Sequence, residues 1–324
     1  MKISIVIAIY NMEYIVERLF KSIVASSYDN YEVIVCDDCS TDNVKQLVEK
    51  YGFVYHKLSQ KAGAAKARNE GVEIATGEII LFSDADTELL PNTLELIADR
   101  FMNKNIHTLE GYEILNPYPD NYIGTFRVLS IQEMFHTQGV GTGVVNFWST
   151  TCGAIRKDAF KQTKGFDERF KGADVEDIEI CFRIPKDFVM YHDVDVNFRH
   201  HYKSTRAIHW NYLRRAYHIG TLNWDLSEHS FYDTRRTKSL IAIILFTLFL
   251  ALTFINPLFI YPSLLTLAQM IVYKWYFFKS CYQAKGVLFL PYAFIVTITI
   301  AFASGIGFAL GKVANFFKVR KAYA

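Results

Sequence analysis

The amino-acid sequence predicts an α/β domain with a parallel, doubly wound sheet, followed by an apolar helical region that enters a membrane. Three observations carry this. Apolar runs of strand length alternate with segments of helical spacing through the first hundred residues. Charge is split: residues 1–239 hold 28 Lys+Arg against 33 Asp+Glu, whereas residues 240–324 hold 7 basic residues and no acidic one. From Ser239 to Tyr273 there are 35 residues without a charge. With 324 residues, 51% of them hydrophobic, the chain is too apolar for disorder and long enough for roughly two domains of about 100–200 residues.

Ile3–Ile9 is an apolar run, with Ser4 its one polar residue, and reads as a buried strand. Its apolar stretch is too short for a signal peptide, and no small-residue cleavage site follows. Met12–Ser26 shows helical spacing through Ile15, Leu19 and Ile23, and Glu32–Cys36 is a second strand. Ser40-Thr41-Asp42 can cap a helix running through Val44, Leu47 and Val48 to Gly52. Phe53–His56 is a third strand, Ala64–Ala75 a helix and Glu78–Phe82 a fourth strand, and Pro91 opens the next helix. In such a sheet, ligands bind at the carboxyl ends of the strands.

Several function classes fall at this point. The five cysteines are odd in number and irregular in spacing, which argues against a secreted disulfide framework and suits a reducing compartment. Cys36-Asp-Asp-Cys39 has a zinc or redox form but lacks a second close pair. No Gly-x-Gly-x-x-Gly follows the first strand and no P-loop signature exists, so dehydrogenase and P-loop ATPase readings both fail. The bases between Arg199 and Lys238 accompany no nucleic-acid module, and no nucleic-acid partner is expected.

The uncharged run of Ser239–Tyr273 is long enough for two bilayer spans of about 20 residues each, with a break at Asn256-Pro257. Gly286–Gly311 is long enough for a third, and its Gly307-x-x-x-Gly311 lets helix backbones approach closely. Ahead of these, Ile208, Tyr212, Leu213, Ala216 and Ile219 recur at helical spacing among Arg206, Arg214 and Arg215. Such a helix fits an anionic membrane surface or the face of the soluble domain. The expected organisation is a soluble domain over 1–205, an amphipathic interfacial linker over 206–238, and a membrane region over 239–324 with two to three transmembrane helices. Without an export signal the soluble domain stays cytoplasmic. Three spans would then put Lys312, Lys318, Arg320 and Lys321 outside, against the positive-inside rule, which a short hairpin or an interfacial last helix would relieve.

Acidic residues fall at the strand ends. Asp37-Asp38 ends the second strand and Asp84-Ala85-Asp86 the fourth, where two carboxylates can turn toward one hard cation and substrate phosphate oxygens. A D-x-D of this kind is often only a solvated turn. Here its company decides. Ser4-Ile-Val-Ile-Ala-Ile-Tyr-Asn11, Val33-Ile-Val-Cys-Asp-Asp-Cys-Ser-Thr-Asp42, Ala67-Arg-Asn-Glu-Gly71 and Thr76-Gly-Glu-Ile-Ile-Leu-Phe-Ser-Asp-Ala-Asp86 occur in that order. Gly165-Phe-Asp-Glu168 and Glu176-Asp177 follow. Over about residues 1–205 this resembles the family 2 glycosyltransferases.

The resemblance implies a GT-A fold, a nucleotide-diphospho-sugar donor, a divalent cation (Mg²⁺ or Mn²⁺) and inversion at the anomeric carbon. It places Asp38 against the donor base, with the backbone of Ala8 and Ile9 lining that pocket and Lys61 nearby. It turns Asp84 to the ribose or sugar, gives Asp86 to the metal, and makes Asp177 the catalytic base, with Glu176 orienting it or the acceptor. One histidine of the His200-His201 doublet completes the metal site, and His200 fits the spacing to Ser204 better than His201 does. Two turn positions depart from the family, Cys39 and Lys164 standing where glycine is common. The implied enzyme is a membrane-bound glycosyltransferase at the cytoplasmic face, acting on a glycan or lipid-linked acceptor in polysaccharide synthesis. A polyprenyl-phosphate sugar synthase is the alternative, although a phosphate acceptor needs no base. A non-enzymatic scaffold conflicts with keeping Asp38, Asp84, Asp86 and Asp177 together. A processive synthase would add Gln-x-x-Arg-Trp, which is absent.

Overall fold

A computed structural model describes residues 1–116, 122–137, 139–172, 174–202, 204–222 and 234–322. Part of the 206–238 linker, residues 223–233, lies outside the described residues. The chain divides into two compact units, Met1–Asn116 with Val140–His201, and Pro117–Gly139 with Tyr202–Ala324. Residues 117–139, which the sequence reading kept in the soluble domain, thus fall in the second unit.

In chain order the elements are β1 (Ile3–Ile9), α1 (Glu13–Val24), β2 (Tyr31–Asp37), α2 (Val44–Lys50), β3 (Val54–Lys57), α3 (Ala64–Ile74), β4 (Ile79–Ser83), β5 (Thr87–Leu89), α4 (Thr93–Asn103) and β6 (Thr108–Glu113). There follow α5 (Tyr122–Thr137), β7 (Gly143–Val145), β8 (Cys152–Arg156), α6 (Lys157–Gln162), α7 (Glu176–Cys181) and β9 (Met190–His200). The chain closes with α8 (Thr205–Thr221), α9 (Thr234–Leu252), α10 (Ile260–Tyr273), α11 (Trp275–Lys285) and α12 (Phe289–Ala322).

The first unit is built on one sheet of order β3-β2-β1-β4-β8-β6-β9-β5, with β7 added on β9. The half from β3 to β4 is parallel, as expected from the alternating pattern. Beyond β4 the sheet is mixed: β8 runs antiparallel to both β4 and β6, and β9 pairs parallel to β6 and antiparallel to β5. β1 is buried on both faces, which is why it reads as an apolar run broken only by Ser4, whose hydroxyl accepts from the Gly77 amide at 2.8 Å. Its side chains Ile5 and Ile7 join Leu19 and Phe20 of α1, Val35 of β2 and Leu81 of β4 in the main core. Burying each such side chain contributes about 1.5–3 kcal/mol before the entropy of ordering is subtracted.

Two local expectations change. Asp42 does more than cap α2, where its Oδ1 accepts from the Val44 amide at 3.4 Å. One carboxylate oxygen accepts from the Glu13 amide at 2.9 Å while Glu13 accepts from the Asn43 amide at 2.9 Å, so the loops after β1 and β2 cap each other. Pro91 stands before Asn92, the N-cap of α4, and precedes the helix it was expected to open. Gly52 does end α2 in the left-handed region, with φ at +70°.

In the second unit, α12 is the helix among the described residues long and apolar enough to cross a membrane, between Phe289 and Phe317. The run Ser239–Tyr273 forms two shorter apolar helices, α9 and α10, broken where Asn256 caps a 3₁₀ turn at Pro257–Phe259. Ile123, Phe126 and Leu129 of α5 pack with Ile208 of α8, Phe277 of α11 and Phe289 of α12. Met270 of α10 and Ala301 of α12 meet Ala242 and Ile243 of α9 in a smaller cluster.

Candidate active site

The carboxyl ends of β1, β2 and β4 set the first side of the site. Ile9 and Asp37 are partners in the parallel ladder, and the Asp38 amide donates to the Ile9 carbonyl at 2.9 Å, so Ala8, Ile9 and Asp38 lie together. The buried Asp38 carboxylate accepts from the amides of Ala62 and Gly63 at 2.6 and 3.0 Å. It therefore fixes the loop leading into α3. Lys61 in that loop is exposed and stands 3.5 Å from the centroid of the Tyr10 ring, which brings it to the end of β1 as well.

β4 runs into Asp84-Ala85-Asp86, and β5 then pairs with β9 so that Thr87 faces His200. The result is a cluster: Asp84, Asp86 and His200 each offer one ligand atom, all within 4.8 Å of one another. His200 Nε2 lies 3.1 Å from Asp86 Oδ1. The doublet splits by strand alternation, His201 pointing to Glu88 at 3.1 Å and Arg18 at 3.4 Å. Burial would lower the His200 pKa, but Asp86, with Glu113 and Asp84 beyond it, more than offsets this and raises it to about 9. Burial raises the Asp84 acid, aided by Asp86 and opposed by Arg68. Two carboxylates and one imidazole form a donor set that fits a small divalent cation.

Arg68 joins this cluster to the other side of the site. Only 4% exposed, it donates to Asp84 at 2.9 Å and to Glu176 at 2.7 Å. Glu176 opens α7, and its second oxygen accepts from the Asp174 amide at 2.8 Å. Both oxygens thus hold protein structure. Asp177 is the next residue, buried at the first turn of α7, where one oxygen accepts from the Ile178 amide at 2.9 Å. The remaining residues of Ala67-Arg-Asn-Glu-Gly71 act as a brace. Asn69 exchanges hydrogen bonds with the Phe166 backbone at 2.8 and 2.9 Å, and the Arg68 guanidinium lies 5.8 Å from the Phe166 ring centroid. Phe166 in turn packs on Phe82, Trp148 and Phe160.

Sequence reasoning gave Arg68 no role of its own. Its signal was an arginine on a short helix that is otherwise apolar on its buried face. Glu110 was missed altogether. It sits in the middle of β6, fully inside the sheet, with Oε2 lacking a hydrogen-bond partner. Burial, against a hydrogen bond from Ser149 and with the charge of Asp177 adding to it, pushes the Glu110 acid up to about 8. The departures at Cys39 and Lys164 both have φ of 63°, which explains why glycine is common at those turns.

Comparison with known proteins bears on the family and the fold. Residues 4–163 match the model described as Glycosyl transferase family 2. The UDP-Glc:alpha-D-GlcNAc-diphosphoundecaprenol beta-1,3-glucosyltransferase WfgD of Escherichia coli is 31% identical over 146 residues, covering 43% of this chain and 57% of that protein. The poly(ribitol-phosphate) beta-N-acetylglucosaminyltransferase TarS of Staphylococcus aureus is 37% identical over 102 residues, 29% of this chain and 18% of that one. The chain thus matches little more than half, or much less, of these relatives' own length. Among solved structures, the mannosyltransferase PcManGT from Pyrobaculum calidifontis, in complex with GDP-Man and Mn²⁺, has a TM-score of 0.59 at 17% identity. That match covers 96% of this chain and 87% of that one and is a likeness of fold.

Proposed function

Over residues 4–163 this chain belongs to glycosyl transferase family 2, with the GT-A fold, and from that premise we propose a membrane-bound, inverting glycosyltransferase. It moves a sugar from a nucleotide-diphosphate donor to a hydroxyl on a lipid-linked or growing glycan at the cytoplasmic face. The observation that carries the reading is the continuous line from the Asp84–Asp86–His200 cluster through Arg68 to Glu176, the neighbour of Asp177. Donor-side and acceptor-side carboxylates are thereby held in one rigid frame.

Asp84, Asp86 and His200 would hold Mg²⁺ or Mn²⁺, which when bound supplies positive charge beside the diphosphate leaving group. Ala8, Ile9 and Asp38 line the nucleoside end, and Lys61, free to leave Tyr10, reaches the nucleotide. Arg68 keeps Asp84 oriented. Asp177 accepts the proton of the acceptor hydroxyl as its oxygen attacks the anomeric carbon from the face opposite the leaving group. Glu176 positions Asp177 through the first turn of α7. The lipid-linked acceptor named for the Escherichia coli relative, together with the apolar stretch of residues 240–324, which holds no acidic residue, supports the membrane part of the reading.

The test is kinetic. Purified full-length protein offered a panel of UDP- and GDP-sugars with Mg²⁺ or Mn²⁺ should consume one donor. Asp177→Asn should lower transfer by about 10²–10⁴-fold, the usual worth of a positioned base. Slow donor hydrolysis should suffer less, because water can lose its proton to solvent. Near wild-type transfer by Asp177→Asn would sink the assignment of the base.

A further inference from the structure

The helix long enough to cross a bilayer, α12, does not stand alone. α8 runs beside it in the same direction. Thr205 Oγ1 is 3.3 Å from the Tyr292 hydroxyl, His209 Nε2 is 2.7 Å from Thr299 Oγ1, and Lys312 Nζ reaches the Leu222 carbonyl at 3.5 Å. Between these points the backbones touch. A Cβ on Gly307 would fall 2.1 Å from the Leu213 carbonyl oxygen, and one on Gly311 would fall 2.2 Å from that of Tyr217. Wherever α12 runs between Tyr292 and Lys312, α8 runs with it.

α8 cannot cross a membrane. Between Arg206 and His218 it carries three arginines and two histidines, and Arg214-Arg215 stand level with Gly307, inside the apolar stretch of α12. One arginine at the bilayer centre costs from about 2.5–3.5 kcal/mol on insertion scales to about 10–17 in simulations. Crossing would also leave a mismatch to absorb by tilt or overhang: 34 helical residues extend about 51 Å, against a hydrocarbon core of about 30 Å. α10, with 14 residues, reaches only about 21 Å and falls short of that core. The tip between α9 and α10 is apolar and bare, Phe254 being 93% exposed.

We infer that the second unit sits in one leaflet. The α8–α12 pair lies along the membrane plane, α9 and α10 dip among the lipid chains and return, and no described segment crosses. The surface it fits is the anionic face of a bilayer, since residues 240–324 hold 7 basic residues and no acidic one. Trp210 and Trp275, both exposed, suit the headgroup boundary. All the basic residues then stay on one side, and the conflict raised by three spans disappears. This rests on the membrane attachment proposed above.

The test uses the full-length chain with a peptide epitope before Met1 and another after Ala324, expressed in bacterial membranes. Protease should remove both epitopes in inverted vesicles and neither in right-side-out vesicles. A membrane-impermeant maleimide added to right-side-out vesicles should leave Phe254→Cys unlabelled. Protection of the second epitope where the first is digested, or labelling of Phe254→Cys from outside, would overturn the one-leaflet arrangement. A chain that fails to sediment with membranes would instead overturn the attachment beneath it.

Discussion

Glu110 shows how much chemistry one buried side chain can hold. In the folded chain it keeps its proton up to pH about 8, whereas an ordinary glutamate loses it near 4.5. Folding therefore takes up a proton between those limits, and this site's contribution to stability falls as pH rises from about 5 to 8. Glu110→Gln keeps the shape without the charge. Its stability should gain on that of the wild type across that range, by on the order of a few kcal/mol at pH 8, read from melting curves. Melting curves with a constant offset at every pH would contradict this. Backbone strain gives a second residue-scale expectation. Lys164, exposed and left-handed with φ of 63°, carries a penalty that glycine lacks, partly offset by glycine's greater freedom when unfolded. Lys164→Gly should stabilise by about 0.5–1 kcal/mol in urea unfolding, with no change in the slope. A loss of stability would mean that the side chain contributes more than its backbone costs.

At the scale of elements, α3 is held to the sheet by the absence of a side chain. A Cβ on Gly71 would fall 2.5 Å from Val6 Cγ1 and 2.9 Å from Cys36 Sγ, so helix and strands meet in van der Waals contact only because that Cβ is missing. Gly71→Ala should cost about 1–3 kcal/mol by overpacking. It should also loosen the line from Arg68 to Asp84, visible as weaker donor binding at temperatures where the chain is still folded. Full stability and full affinity would remove Gly71 from that role. The elements legible in the sequence were those whose burial makes an apolar pattern, from β1 through β4 with their helices. β5 and β7 have three residues each, too few for a period to form. β6, Thr-Leu-Glu-Gly-Tyr-Glu, buries two glutamates and bends at Gly111, so its composition argued against a strand. The half of the sheet beyond β4 was therefore hidden. The carboxylates of Asp37-Asp38 and Asp84-Ala85-Asp86 were legible for another reason: they stand at strand ends in short motifs. The tie through Arg68 was invisible because it joins residues 108 positions apart.

For the whole molecule, two units with separate cores imply separable properties. Asp86→Ala should abolish the Mn²⁺ dependence of nucleoside diphosphate binding, read by calorimetry in detergent, while the fraction of chain sedimenting with membranes stays unchanged. A parallel loss of sedimentation would show that the units depend on each other. The interleaving of those units in the chain has a consequence for its making. α5 belongs with α8, α11 and α12, yet it is synthesised in the middle of the first unit. Phe126 leaves the ribosome some 150 residues before Phe277, its ring partner at 5.2 Å. At about 5–20 residues per second, that leaves an apolar helix without its neighbours for roughly ten seconds or more. Through that interval Ile123, Phe126 and Leu129 must be shielded by a chaperone or by lipid. A shortened gene that stops before α9 would make the interval permanent and yield a chain prone to aggregate.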